Sequence, residues 1–185
     1  MTLRLFSLAT LLTLLGPPAR ADVELGMDMG FAHTSYDRIG SISVNGSLSR
    51  FEIPIPELRI GLALSEVVSL EPRLALQVLS GDDETFSVLA LSGALQVHFS
   101  SDPTTTRAYI GAGPSLIRYS ADDESASQLG FFGEGGVKVP AGESFLVRVG
   151  GGFERQFEKE EDFLPSANVL YLKVGFSAIA RTPER

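Results

Sequence analysis

The residues of this 185-residue chain that could do chemistry are two histidines, several acidic runs and a set of charged residues at even spacings. His33 and Ser35 form a His-x-Ser pair, and a serine needs such a base to become a nucleophile; the same pair also reads as the polar tip of an extended segment. His98 falls on the polar side of its segment and reads as a hydrogen-bonded structural histidine. Asp82-Asp83-Glu84, Asp122-Asp123-Glu124, and Glu158 with Glu160-Glu161-Asp162 offer the oxygen ligands that hard cations prefer. None has the spacing of an EF-hand loop, and a solvated rim is the plainer reading. Gly150-Gly151-Gly152 lacks the Lys-Ser/Thr and the helix of a phosphate loop. Cysteine is absent, which excludes disulfides, thiolate metal sites, a cysteine nucleophile and a lipidated cysteine. No catalytic, cofactor-binding or metal-binding residue is assigned, and no cofactor is expected.

Ten further charged residues share one property: each alternates with apolar neighbours. Glu24, Asp28, Glu71, Glu134 and Glu154 are the acids, and Arg59, Arg73, Lys138, Arg148 and Lys173 the bases, five of each. The same faces are rich in Gly, Ala and Ser. Small side chains among balanced long charged ones suit a crowded interior, because an unpaired buried charge costs several kcal/mol, roughly. A solvent-washed face of so acidic a chain would carry an excess of acids. These ten residues are therefore expected to form a lumen charge network.

The elements that position them are strands. Alternation with a period of two recurs in eight segments of about ten residues. Val23, Leu25, Met27, Met29 and Phe31 oppose Glu24, Gly26, Asp28 and Gly30. Leu58, Ile60, Leu62 and Leu64 oppose Arg59, Gly61 and Ala63, and Leu70, Leu74 and Leu76 oppose Glu71, Arg73 and Ala75 across a short Glu66-Val67-Val68 joint. The remaining segments are Leu89 to Phe99, Arg107 to Tyr119, Leu129 to Val139, Phe145 to Glu154 and Leu170 to Ser177, with nothing ordered expected beyond Ala178. Pro72 lies within the third segment, where its missing N–H predicts a bulge or a strand start.

Joints after the second, fourth and sixth segments are short, while those after the first, third, fifth and seventh carry the polar clusters. In an up-and-down meander all longer loops then project from one rim, the arrangement of outer-membrane barrels. Asn45-Gly46 is the preferred type I′ turn pair, so the longest connector, Thr34 to Arg50, is expected to continue the first hairpin as a two-stranded protrusion.

The N-terminus reads as a targeting segment: Arg4, then the apolar run Leu5 to Leu15, then Ala19-Arg20-Ala21 as a small-x-small cleavage site. The run is too short for a spanning helix and Gly16-Pro17-Pro18 ends it. Cleavage removes Arg4 and Arg20 and moves the formal charge from −8 to −10, an acidity that argues against nucleic acid. The expected organisation is a signal peptide at 1–21, an outer-membrane β-barrel domain at 22–178 and a short tail at 179–185.

Leu58-Arg59-Ile60-Gly61-Leu62, Ser69-Leu70-Glu71-Pro72-Arg73-Leu74, Ala108-Tyr109-Ile110-Gly111-Ala112-Gly113 and Tyr171-Leu172-Lys173-Val174-Gly175-Phe176 resemble strands of small outer-membrane β-barrel proteins of the OmpA-transmembrane and OmpX type. The resemblance implies an all-β fold, an eight-stranded antiparallel up-and-down transmembrane β-barrel, monomeric, surrounded by outer-membrane lipid and lipopolysaccharide. It implies a non-enzymatic structural or surface-interaction role in the cell envelope of a Gram-negative bacterium. The chain departs from that group in continuing past Phe176 with Ser177 to Arg185, where such barrels usually finish on an aromatic residue. Two alternatives make different predictions. A lipid A-modifying outer-membrane enzyme, suggested by a similar His-x-Ser pair in lipid A deacylases, requires His33 and Ser35 within hydrogen-bond reach. A soluble periplasmic ligand-binding β-barrel requires the Leu, Val and Phe faces to point inward.

Overall fold

A computed structural model describes residues 23–36, 48–52, 56–80, 85–102, 104–121, 124–159 and 164–180. They form the strands β1 (Val23–Tyr36), β2 (Leu48–Glu52), β3 (Glu57–Ala63), β4 (Val68–Ser80), β5 (Thr85–His98), β6 (Arg107–Ala121), β7 (Glu124–Pro140), β8 (Phe145–Gln156) and β9 (Ala167–Ala180). Every pairing is antiparallel between neighbours, and β9 returns to pair with β1 from Val23↔Ala180 to Tyr36↔Ala167. That last ladder closes the sheet, so β1 and β3 to β9 are the eight staves of an up-and-down barrel. Among the described residues there is no helix.

β2 is an added short strand. It pairs with the upper part of β1, Ala32↔Glu52 to Tyr36↔Leu48, beyond the part of β1 that pairs with β3. The first hairpin thus continues past the first segment of alternation, but within the wall, since β1 stays paired with β9 as far as Tyr36↔Ala167; the Asn45-Gly46 turn of the expected protrusion lies outside the described residues, as do the expected signal peptide and most of the acidic runs. The other staves also run longer than their alternating segments at the longer-loop end. β7 starts at Glu124 rather than Leu129, because polar residues there keep the strand pairing while losing the apolar-outward pattern. β9 runs to Ala180, two residues past the expected limit at Ala178.

Pro72 neither bulges nor starts a strand. It sits inside β4, paired with Gly93 on one side; on the β3 side the ladder jumps from Arg59↔Arg73 to Leu62↔Leu70 in unchanged register. A missing N–H removes ladder bonds without forcing an extra residue. Pro114 lies in a similar interruption of the β5–β6 ladder, which steps from Ser92↔Ser115 to Leu95↔Ala112.

The sides of the wall are the reverse of a water-soluble barrel's. Phe31 and Leu172 are each 69% exposed, and Leu58, Ile60, Leu74, Leu95, Ile110 and Val149 stand outward with them. Phe99, Phe145 and Phe176 ring the short-turn end, and Phe131, Phe153 and Phe157 the other. Phe145 and Phe157 are separated by ~40 Å of extended chain, which at the usual barrel tilt is a height of ~30 Å, the thickness of a bilayer's hydrocarbon core. The leucines of the wall therefore point out, and the soluble-barrel alternative is overturned by that direction.

Candidate functional site

The interior is built by parity. Odd positions of β3, β4 and β6 and even positions of β1, β5, β7 and β8 turn inward, which puts Arg59 (2% exposed), Glu71 and Arg73 into the lumen with Gln96, Tyr109, Lys138 and Arg148. Long charged side chains fit because glycine occupies the inward position beside them: Arg59 pairs with Gly26, Glu24 with Gly61, and Arg148 with Gly175. A Cβ at Gly26 would come within 2.7 Å of the Arg59 guanidinium carbon.

Eight of the ten predicted residues converge in one cluster. Glu71 is its hub. Its carboxylate accepts from Arg148 Nη1 at 2.7 Å, from Arg73 Nη2 at 2.8 Å, from Gln96 Nε2 at 3.0 Å and from Arg59 Nη1 at 3.4 Å, with Lys138 Nζ at 3.6 Å. Arg59 also reaches Glu24, Asp28 (3.1 Å) and Ser177 (3.0 Å). Lys138 donates to Glu24 at 2.8 Å. Glu134 is gripped by Arg73 and Arg148 together, and Arg148 lies 3.4 Å from the second oxygen of Asp28. Four acids thus meet four bases in direct contact. Tyr109 accepts a bond from Arg148 Nε at 2.6 Å and lies under that guanidinium, whose carbon is 4.6 Å from the ring centre.

Two predicted residues stand apart. Lys173 pairs with Glu57 at 2.9 Å, and Glu154 accepts from the Ser115 hydroxyl at 2.6 Å nearer the longer-loop rim. Glu57 is an inward position two residues before Arg59, but it precedes the clear alternation, so the sequence pattern does not mark it. Tyr109 and Tyr171 were hidden by the small residues around the former and by the plain polar reading of the latter. Buried uncompensated ions cost several kcal/mol each, roughly, so the cluster holds only as a set. Its side chains fill this part of the lumen and are almost wholly shielded from solvent.

The two histidines lie on opposite sides of the wall, His33 outward on β1 and His98 inward on β5. Ser35's hydroxyl donates to the Asn168 carbonyl oxygen at 3.4 Å, and it shares an outward-facing edge of β1 with His33. His98 lies 3.1 Å from the Ser69 hydroxyl through Nε2, with both side chains buried at the short-turn end of the lumen. That is the structural histidine its position suggests.

The chain matches no protein-family model and no curated protein. Solved structures do share its fold. Neisserial surface protein A superposes with a TM-score of 0.57 at 15% identity, over 84% of this chain and 96% of that one. The outer-membrane protein OprG of Pseudomonas aeruginosa gives 0.55 at 14% identity over 88% and 97%. The outer-membrane protein AlkL, solved in lipid bilayers, gives 0.54 at 12% identity over 92% and 95%. The fold is therefore that of small transmembrane outer-membrane barrels.

Proposed function

We propose that this chain is a non-enzymatic outer-membrane protein, exported by a cleavable signal peptide, that spans the membrane as a monomer and presents its longer loops to the outside. One observation carries the reading: a continuous belt of exposed Leu, Val, Ile and Phe surrounds a lumen in which every long polar side chain of the central cluster is a charge or its hydrogen-bond partner. In water such a belt would expose apolar area far beyond the few hundred Å² a soluble monomer tolerates. In hydrocarbon it is the stable side, and a closed barrel leaves no unpaired edge. The packed charge cluster makes a wide pore a poor fit, and a rigid plug suits a barrel whose work is done at its rim. Envelope stabilisation or surface interaction follows, with lipopolysaccharide as the surrounding lipid partner.

Two measurements test this together. Membrane fractionation of cells expressing the full chain should recover a mature form starting at Asp22 in the outer membrane. Unheated samples should migrate faster in gels than boiled ones, the mark of a folded barrel. A protein of unchanged length in the soluble fraction, with a single mobility, would overturn the reading.

A further inference from the structure

The outward wall is not uniformly covered. Where β7, β8 and β9 meet, Gly133, Gly135 and Gly151 occupy consecutive outward register positions: Gly133 pairs with Phe153, and Gly135 with Gly151, which in turn pairs with Leu172. With no side chains to fill it, the wall there is a groove of about 680 Å³ lined by Phe31, Phe153, Leu170 and Leu172. The space is open over β7, where a Cβ at Gly133 would meet nothing within 4 Å and one at Gly135 would come no closer than 3.5 Å to its surroundings; at Gly151 the Leu172 side chain closes in, 2.8 Å from where a Cβ would stand.

One register step nearer the longer-loop rim, the groove ends in polar groups. Arg155 follows Phe153 on the outward side of β8 and pairs with Phe131 and Asn168. Its guanidinium donates to Asn168 Oδ1 at 2.9 Å, which holds it at the wall, and Ser35 lies beyond Asn168 in the same register row, one step above the row of Phe153, Leu170 and His33. Outward register positions of β1 and β3 to β9 carry only two Asp, Glu, Lys or Arg residues, Arg118 and Arg155, both bases and both on the longer-loop half. A cation directly above an apolar groove is complementary to one kind of membrane component, an anion at the head of a hydrocarbon chain. The planar fork of a guanidinium matches phosphate geometry.

We propose that this groove is a lipid site: one acyl chain of the phosphorylated glycolipid of the outer leaflet lies over Gly133, Gly135 and Gly151, with its phosphate on Arg155. The proposal rests on the membrane reading above and names the lipid contact of that reading. Lipopolysaccharide is the source chosen because Arg155 stands on the longer-loop side, which faces outward in such barrels.

The test uses the full mature chain, folded in a neutral detergent, with bisphosphorylated hexa-acyl lipid A, its phosphate-free counterpart and phosphatidylglycerol as probes, and native mass spectrometry as the readout. One lipid A should be retained per chain. Gly135→Leu, which fills the groove from an open position, and Arg155→Gln should each weaken it about tenfold. Arg155→Gln should also erase the preference over the phosphate-free lipid, while Arg118→Gln leaves it intact. Faster unheated gel mobility of each variant establishes that it has folded. Retention unaffected by Gly135→Leu would overturn the site, as would an equal loss with Arg118→Gln or equal retention of phosphatidylglycerol. A dimer in ultracentrifugation that Gly135→Leu dissolves, with lipid A retention unchanged, would assign the groove to a second copy instead. Failure of the wild-type chain to show faster unheated mobility would strike the membrane reading itself, a result distinct from all of these.

Discussion

Arg59 and Arg73 stand directly opposite each other across the β3–β4 ladder, and Lys138 and Arg148 do the same across β7–β8. Like charges in register repel. Glu71 resolves both conflicts at once, lying 2.8 Å from Arg73, 3.4 Å from Arg59, 2.7 Å from Arg148 and 3.6 Å from Lys138. The barrel wall is thus held across its lumen by carboxylates that bridge like-charged neighbours.

Glu71→Ala should consequently be far more damaging than loss of any one peripheral charge. It leaves four buried cations with only Glu24, Asp28 and Glu134 to balance them, a loss of about 3–5 kcal/mol. Urea titration of the folded barrel, read as the fraction of faster gel mobility, should show the midpoint falling steeply. Lys173→Ala, which removes the pair with Glu57 at the margin of the cluster and a contact with the Tyr171 ring, should move it much less.

Direction of side chain predicts a second contrast. Val149 faces outward near the middle of the belt, so Val149→Arg should destabilise the barrel in bilayers by about 2–4 kcal/mol. Tryptophan-free as the chain is, circular dichroism during unfolding in vesicles is the suitable measurement. A neutral result would show that this part of the wall is not in hydrocarbon.

Glycines on the two sides should respond in opposite ways. Gly26→Val pushes into an Arg59 guanidinium already fixed by Glu24, Asp28 and Ser177, and overpacking of this kind costs about 1–3 kcal/mol. Gly133→Val enters open space on the outer wall and should stay within about 0.5 kcal/mol of wild type. Parallel unfolding titrations of the two variants check this.

Pro72 offers a stabilising change. The β3–β4 register is intact on both sides of it, and only the pairs at Ile60 and Gly61 are missing. Pro72→Val restores an N–H in a position already aligned for pairing, with a gain of about 1 kcal/mol. Slower amide exchange at residues 60 and 61 would accompany the gain.

The sequence by itself determined the strands and their faces. A period of two, kept through Leu58 to Leu64 and Phe145 to Phe153, fixes which side chains share a face, and alternating joint lengths fix which ends carry the loops. It also marked eight members of the central cluster, because charges separated by glycine and alanine are legible as an interior. The ends were harder to read: Glu57 and the start of β7 lie where polar residues keep pairing after the alternation fades.

The make-up of the charged face pointed to the inside, but alternation alone does not choose it, and only the tertiary structure fixed it. Alternation is symmetric between an apolar core and an apolar exterior, and closure of β1 on β9 breaks that symmetry by enclosing the face that carries Arg59 and Glu71. Closure also decided the partners. Glu71 and Arg148 are 77 positions apart in the chain, and no local pattern relates residues whose strands meet only across the lumen. The groove beneath Arg155 has the same origin, since Gly133, Gly135 and Gly151 become one surface only when the register of β7 and β8 is set.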